Sequence, residues 1–168
     1  MRRIAPFVSL AIVTAALAWL PLAASAQSYE DLAGGWIVSS RTSADGEADD
    51  SPGRGLYLFT ATGQYSMMNV GVDERPDLPE DFSPEELRTA WDSFSANSGR
   101  YRIRGDQLTY EAWVAKWPGY MNAWDPSTGG NARTVTMSLD DGLLTLSRSD
   151  GWSVTLRRAP GLEGDGGA

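Results

Sequence analysis

The chain has 168 residues, with 14 Lys and Arg against 22 Asp and Glu, a formal net charge of −8 at pH 7, and neither His nor Cys. The absence of histidine excludes catalytic triads with an imidazole base, zinc sites with histidine ligands and histidine-ligated haem. The acidic balance would repel phosphate backbones and anionic lipid surfaces, so we expect no nucleic acid among the partners.

The two ends of the chain differ in composition from the middle. Residues 1–26 contain Arg2 and Arg3, then an apolar run, then the small-residue ending Ala24-Ser25-Ala26, which predicts a secretory signal cleaved before Gln27. An uncleaved membrane anchor is the alternative, but two prolines and the small-residue ending argue against it. We therefore expect an exported protein, periplasmic or secreted, without stable membrane insertion after cleavage. Residues 159–168 are glycine-rich and acidic, which predicts a disordered tail.

Residues 27–158 are predicted to form one domain built mainly from strands. From Gly34 onward, short runs of alternating apolar and polar residues are separated by turn residues, which indicates antiparallel sheet. The eight predicted strands are residues 34–41, 55–61, 64–70, 99–104, 107–115, 132–139, 143–149 and 152–158. Pairing the first strand with the last removes both open edges of this meander, so we predict an all-β, eight-stranded antiparallel up-and-down barrel. A two-sheet sandwich is the alternative.

One helix is predicted between the third and fourth of these strands. Ser83 is the expected N-cap, Pro84 the first helical residue and Glu86 the partner that completes a capping box. The helix is expected to end near Asn97. Four apolar residues at helical spacing predict a stripe that packs against the mouth or flank of the barrel, namely Leu87, Ala90, Trp91 and Phe94.

The first and last strands carry residues suited to closing one end of the barrel. Trp36 stands just after Gly34, and its ring can lie across the core while the glycine lets the entering chain pass close beneath it. Arg157 and Arg158 end the last strand, which closure brings beside the first. We predict a guanidinium over the indole ring, a cation–π contact with a structural role.

The ordered set of features resembles a known family. The G-x-W signature, the terminal arginines and eight meander strands, with the segments GLYLFTATGQYSMM, EELRTAWDSFSANSGRYRI and GDQLTYEAWV, are similar to bacterial lipocalin-like domains of the lipocalin and calycin type. The resemblance covers nearly all of residues 34–158. It implies a closed barrel, and calycin barrels include isomerases and cyclases that use a dry pocket.

Alternation along the strands predicts which side chains face the interior. The apolar sets expected inside are Leu56 and Leu58, Tyr101 and Ile103, Leu108 and Tyr110, Val135 and Met137, Leu144 and Leu146, and Trp152 and Val154. Arg133 shares the parity of Val135 and is therefore expected inside too. Two roles are open for it: a cation that faces a ligand, or half of a buried salt bridge with Glu111 or Asp125.

An aromatic-rich segment, WVAKWPGYMNAWDP, follows the fifth predicted strand. Its rings can line the mouth of a cavity, because an eight-stranded barrel has room for one small ligand. They can equally pack as a lid over the end of the barrel. The predicted ligand-binding residues are Tyr57, Met67, Tyr110, Trp113, Trp117, Tyr120, Trp124 and Arg133.

Charged residues elsewhere have solvent-exposed interpretations. The carboxylates of residues 45–50 lack the spacing of a calcium-binding loop and predict a solvated loop, so we expect neither a metal nor a cofactor. Arg100, Arg102 and Arg104 alternate along one strand and predict an outward stripe, with cross-strand pairs to Glu111.

Three functions are compatible with a barrel of this kind. The first is sequestration or carriage of a small apolar or amphipathic molecule, with Arg133 as an anchor for an acidic group. The second is an isomerase or cyclase in the same cavity, using Glu111 with Tyr110 or Tyr120; no catalytic residue is assigned. The third is a barrel filled by its own side chains that acts in protein interaction. We expect a monomer or a weak dimer.

Overall fold

A computed structural model describes residues 27–49, 52–71, 78–121 and 131–161. Its elements are α1 (Tyr29–Leu32), β1 (Gly34–Thr42), β2 (Ala48–Asp49), β3 (Arg54–Phe59), β4 (Gln64–Val70), α2 (Pro84–Asp92), β5 (Phe94–Arg104), β6 (Gln107–Ala115), a 3-10 helix (Pro118–Tyr120), β7 (Arg133–Asp140), β8 (Leu143–Ser147) and β9 (Ser153–Arg158). The predicted signal and most of the predicted tail lie outside the described residues. No helix within the described ranges is long and apolar enough to cross a membrane.

The sheet closes on itself, as predicted. The strand order is β2-β1-β3-β4-β5-β6-β7-β8-β9, and β1 also pairs with β9. In that last pairing Trp36 lies opposite Arg158 and Val38 opposite Leu156. The eight long strands therefore form an antiparallel barrel, and the sandwich alternative is wrong. The two-residue strand β2, which pairs only with the end of β1, was not predicted. It shifts the later strand numbers by one, so the helix lies between β4 and β5 and not between strands numbered three and four, as predicted.

Hairpin turns join most neighbouring strands, where the sequence places glycine and aspartate. Between β7 and β8, Asp141 and Gly142 have φ values of 47° and 77°, the left-handed backbone that a two-residue hairpin needs. Because such turns set the strand register locally, they explain why this part of the meander is predictable from the chain itself.

Helix α2 begins as predicted but ends early. The Ser83 side chain accepts a hydrogen bond from the Glu86 backbone N–H and the capping box is complete. The helix stops at Asp92, because the next residues pair with β4 from Val70↔Phe94 onward. The predicted inward stripe is wrong: Leu87 and Trp91 are 45% and 51% exposed, and Ala90 is the buried residue of the helix.

The hydrophobic core lies inside the barrel and includes Leu32 of α1. The register of the strands corrects one prediction about which residues face this core. Trp36 lies opposite Tyr57 in the β1–β3 pairing, and directly opposed residues share a face of the sheet. Tyr57 and Phe59 are therefore inside, whereas Leu58 is 40% exposed. The expectation that Leu56 and Leu58 face inward is wrong, because both faces of β3 are apolar and alternation alone does not choose between them.

Candidate functional site

One end of the barrel is sealed by the first tryptophan of the domain. Trp36 is fully buried, and its Nε1 donates a hydrogen bond of 2.8 Å to the carbonyl oxygen of Leu32 in α1. The Arg158 guanidinium lies 3.9 Å from the centre of the indole ring. At Gly34, whose φ is +122°, a Cβ would lie 2.9 Å from Arg158 Nη1. Arg157 lies opposite Ile37, on the outer face of the sheet.

Aromatic rings fill the space above this seal. The Tyr101 ring lies 5.1 Å from that of Tyr29 and 5.2 Å from that of Phe59, measured between centres. The Tyr101 hydroxyl donates to the carbonyl oxygen of Thr60 at 2.7 Å. Burial raises the pKa of Tyr101 to about 12, so the hydroxyl stays neutral in ordinary buffers. Buried aromatic side chains therefore occupy this end of the interior.

The opposite end contains a cavity of about 270 Å³. Five of the predicted ligand-binding residues line it: Tyr57, Met67, Tyr110, Trp117 and Tyr120. Lining residues that the sequence interpretation missed are Asn69, Ser95, Asn97 and Arg148. Asn97 lies opposite Met67 in the β4–β5 pairing, so extending the parity of Met67 across the sheet would have found it. Trp124 lies outside the described residues.

Arg133 lies beside this cavity, next to the lining residues Tyr110 and Tyr120, but it is not itself one of the lining residues. It is opposite Tyr110 in the β6–β7 pairing, and its guanidinium stacks 3.8 Å from the centre of the Tyr120 ring. Its Nε is buried and has no hydrogen-bond partner among the described residues. The predicted alternative of a salt bridge to Glu111 is wrong, and Asp125 lies outside the described residues.

Glu111 serves a different purpose, on the outer face of the barrel. Arg100 donates to its Oε2 through Nε at 2.9 Å and Nη2 at 2.6 Å, and Arg102 Nη2 donates to Oε1. Burial opposes the charge of Glu111, but these hydrogen bonds outweigh it and lower the pKa of the carboxyl. The cross-strand pairs predicted for this stripe are confirmed for Arg100 and Arg102. Because Tyr110 faces the inside of the barrel and Glu111 faces the outside, Glu111 and Tyr110 cannot act together on one ligand.

A bulge explains the position of Trp113. The β5–β6 register shifts between Ser98 and Gly99, which lie opposite Val114 and Ala112, so Trp113 is the extra residue of β6. Its side chain does not line the cavity. Gly99 is required here, because a Cβ would collide with the backbone carbonyl oxygen of Glu111. Counting alternate residues along β6 therefore no longer predicts which side chains face the inside beyond Ala112.

The segment after β6 turns back over the cavity. Pairing of β6 with β7 ends at Tyr110↔Arg133, and a parallel bridge joins Ala112 to Met121. The 3-10 helix Pro118–Tyr120 lies immediately before that bridge. This path places the Tyr120 ring on the Arg133 guanidinium.

Three buried polar atoms in or beside the cavity wall have no hydrogen-bond partner among the described residues. They are Tyr65 Oη, Asn97 Oδ1 and Arg133 Nε. The Tyr65 and Tyr110 rings are 5.6 Å apart, which places the Tyr65 hydroxyl in the same cluster. Burial raises the pKa of both tyrosines, and the positive charge of Arg133 acts in the opposite direction on each. Both hydroxyls are therefore neutral hydrogen-bonding groups at neutral pH.

Arg41 of β1 reaches the cavity rim through a lining residue. Arg41 Nη2 donates to Asn69 Oδ1 at 2.6 Å, and Asn69 lines the cavity. Gly55 lies opposite Asn69, and a Cβ there would be 2.5 Å from Asn69 Oδ1 and from Val38 Cγ2. The glycine therefore makes room for the amide to meet the guanidinium.

A single lysine joins helix α2 to the rim. Lys116 Nζ donates to the carbonyl oxygens of Phe94, at 2.6 Å, and of Trp91. It also lies 4.7 Å and 4.6 Å from the ring centres of Trp91 and Trp117. Because Trp117 lines the cavity, this contact links the position of the helix to the shape of the opening.

Among the described residues, no group of three His, Cys, Asp or Glu side chains could hold a metal ion.

Comparison with solved structures finds matching chains. A lipocalin-like protein from Bacteroides uniformis ATCC 8492 is 19% identical, over 77% of this chain and 99% of that chain, with a TM-score of 0.47. An uncharacterized protein from Bacteroides eggerthii DSM 20697 is 17% identical, over 77% of this chain and 100% of that chain, with a TM-score of 0.44. The chain is similar to bacterial lipocalin-like proteins. No protein-family model and no curated protein matches its sequence.

Proposed function

We propose that this is an exported, periplasmic or secreted binding protein that carries or sequesters one small, partly apolar molecule in the barrel. The observation that carries the proposal is the contrast between the two ends of the interior. One end is sealed by Trp36 and Arg158, and the other holds a cavity of about 270 Å³. A closed barrel with one open, aromatic-walled cavity is a common architecture for binding a small ligand.

The cavity wall supports binding more than catalysis. Glu111, the carboxylate considered for acid–base chemistry, faces outward and is held by two arginines. The described lining residues include no Asp or Glu. A barrel filled entirely by its own side chains would leave no such cavity.

The proposal is tested by blocking the cavity without altering the barrel. Ala115 lines the cavity, whereas its neighbour Val114 is 63% exposed on the outer face. Native mass spectrometry of protein purified from its own source should show a bound small molecule in the wild type and in Val114→Trp, and none in Ala115→Trp. A ligand retained by Ala115→Trp, or absent from all three, would contradict the proposal.

The same preparations test the export and the partners that we propose. Intact mass and N-terminal sequencing should show a mature chain beginning at Gln27 in the periplasmic or culture fraction. Sedimentation should show a monomer or a weak dimer. Full-length protein in the cytoplasmic or membrane fraction would exclude export of this form.

A further inference from the structure

We propose, on the basis of the binding function above, that the ligand is a small aromatic acid whose anionic group sits against Arg133. The proposal concerns the class of ligand and goes beyond the presence of a cavity. Three independent features of the described residues support it: the free donor of Arg133, the charge of the wall and the aromatic character of the cavity.

The first feature is a buried donor that needs an acceptor. Arg133 Nε has no partner among the described residues, and leaving such a donor unsatisfied in a folded protein is costly. The face of the guanidinium is covered by Tyr120 at 3.8 Å, so its N–H groups are directed outward in the plane of the group. A carboxylate or sulfonate binds an arginine in that plane, with two oxygens on two N–H groups.

The second feature is the charge around the cavity. The whole chain has 22 acidic against 14 basic residues, yet the described lining contains Arg148 and no carboxylate. Arg133 and Arg41 adjoin it through Tyr120 and Asn69. Arg148 is paired with Asp150 at 2.8 Å, and both side chains are about half exposed. The Nε of Arg133 is buried and has no partner among the described residues, so an anion should be stabilised more by Arg133 than by Arg148. Positive charge concentrated in a cleft of an acidic protein favours an anionic ligand.

The third feature is the size and composition of the cavity. Its volume of about 270 Å³ is near the lower limit for ligand pockets, which favours one or two fused rings over a long lipid chain. Five aromatic side chains line it, namely Tyr57, Tyr110, Trp117, Tyr120 and Trp152. Rings of this kind stack on flat ligands. The unpartnered Asn97 Oδ1 adds an acceptor for a hydroxyl or amino group on the ligand.

The test uses two probes of the same shape that differ in charge. Binding of 2-naphthoate and of neutral 2-naphthamide to the mature protein is measured by titration calorimetry and by the change in tryptophan fluorescence. We expect the wild type to bind naphthoate at least about tenfold more tightly than the amide, as for hydrogen bonds to charged groups. Arg133→Met should lose this preference and still bind the amide. Arg157→Met, which removes an equal charge from the outer face, should keep it.

Further variants separate an anion site from a structural arginine. Arg133→Lys keeps the charge and removes Nε, so it should retain the fold, checked by thermal denaturation, and lose most of the preference. Asp125→Asn should leave naphthoate binding unchanged; binding that appears only in Asp125→Asn would mean that Arg133 is already paired, and would overturn the proposal. Equal affinity for both probes in the wild type would also overturn it and leave the binding function standing. Binding of neither probe, together with no co-purified ligand, would refute both.

Discussion

The guanidinium of Arg158 covers the indole ring of Trp36, across the seam where the last strand meets the first. The two residues are directly opposite in the β1–β9 pairing, and the guanidinium lies 3.9 Å from the ring centre. Arg158 also donates to the carbonyl oxygens of Ala33 and Asp31. One side chain therefore joins β9, β1 and the segment that enters the barrel.

Arg158→Met should destabilise the barrel, whereas Arg157→Met should not. The first change removes a cation–π contact and hydrogen bonds to two carbonyls, together about 1–3 kcal/mol in the free energy of unfolding. The second removes an exposed charge on the outer face, with an effect within about 0.5 kcal/mol. Urea denaturation followed by tryptophan fluorescence measures both. Equal losses in the two variants would show that the contact with Trp36 contributes nothing.

Glu111→Gln should lower the free energy of unfolding at neutral pH and make it depend less on pH in the acidic range. The lowered pKa of Glu111 means that its carboxylate stabilises the fold above its ordinary pKa of 4.5. That stability is lost as the pH falls through the lower folded value. The variant leaves Arg100 and Arg102 without a charged partner, which should cost about 1–3 kcal/mol at pH 7.

Unfolding free energies of wild type and Glu111→Gln, measured from pH 7 to pH 3, should therefore converge as the pH falls. Asp92→Asn is the matched control, because its ion pair with Arg88 is exposed and 3.5 Å long. It should change stability by less than about 0.5 kcal/mol at any pH. Parallel curves for wild type and Glu111→Gln would rule out the assigned role of the carboxylate.

Gly99→Ala should prevent the β5–β6 bulge from forming. The added methyl group would collide with the Glu111 carbonyl oxygen and approach the Trp113 backbone N–H, and backbone on a paired strand cannot move away cheaply. We expect a loss of at least about 3 kcal/mol, or an insoluble chain. Gly119→Ala is the comparison, since nothing lies within contact distance of a Cβ there; its melting temperature should match the wild type. A soluble Gly99→Ala with wild-type stability would contradict this account of the bulge.

Stability should be flat around neutral pH and fall in alkali. The chain has no His or Cys, so no side chain has an ordinary pKa between about 5 and 8. Burial raises the pKa of Tyr101 to about 12. The unfolded chain ionises this tyrosine near pH 10, so the stabilisation is complete below that pH and is lost as the pH rises through the folded value.

Tyr101→Phe separates the hydroxyl from the ring. Losing the hydrogen bond to the Thr60 carbonyl should cost about 1 kcal/mol at pH 8, and the variant should lose less stability than the wild type between pH 9 and pH 12. Urea midpoints at three pH values are sufficient. A steeper alkaline loss in Tyr101→Phe would exclude the proposed effect.

Features that depend on residues close together in the sequence could be predicted from the sequence alone. The capping box at Ser83 and the turn at Asp141 and Gly142 follow from local backbone chemistry, and they form as expected. Barrel closure followed from a general requirement, since an antiparallel meander of this length leaves two open edges unless its ends pair. The lining position of Tyr120 followed from the aromatic composition of the segment that carries it.

Features that depend on strand register were not predictable. Leu56 and Tyr57 are both apolar enough to face inside, and only the pairing of Tyr57 with Trp36 decides between them. The bulge that displaces Trp113 adds one residue to β6 without any local signal. The bond from Arg41 to Asn69 joins residues 28 positions apart and requires Gly55 between them, a relation that no spacing along one strand contains.

Lys116, wedged between two indole rings at the barrel opening, is the only lysine of the chain. Reagents that acylate amines will therefore modify one side chain, at the opening itself, in addition to the terminal amine. Dyes, biotin or sensor surfaces coupled by that chemistry would obstruct the opening they are meant to report on. A cysteine introduced at exposed Ser138 on the outer wall would be the sole thiol and a safer point of attachment.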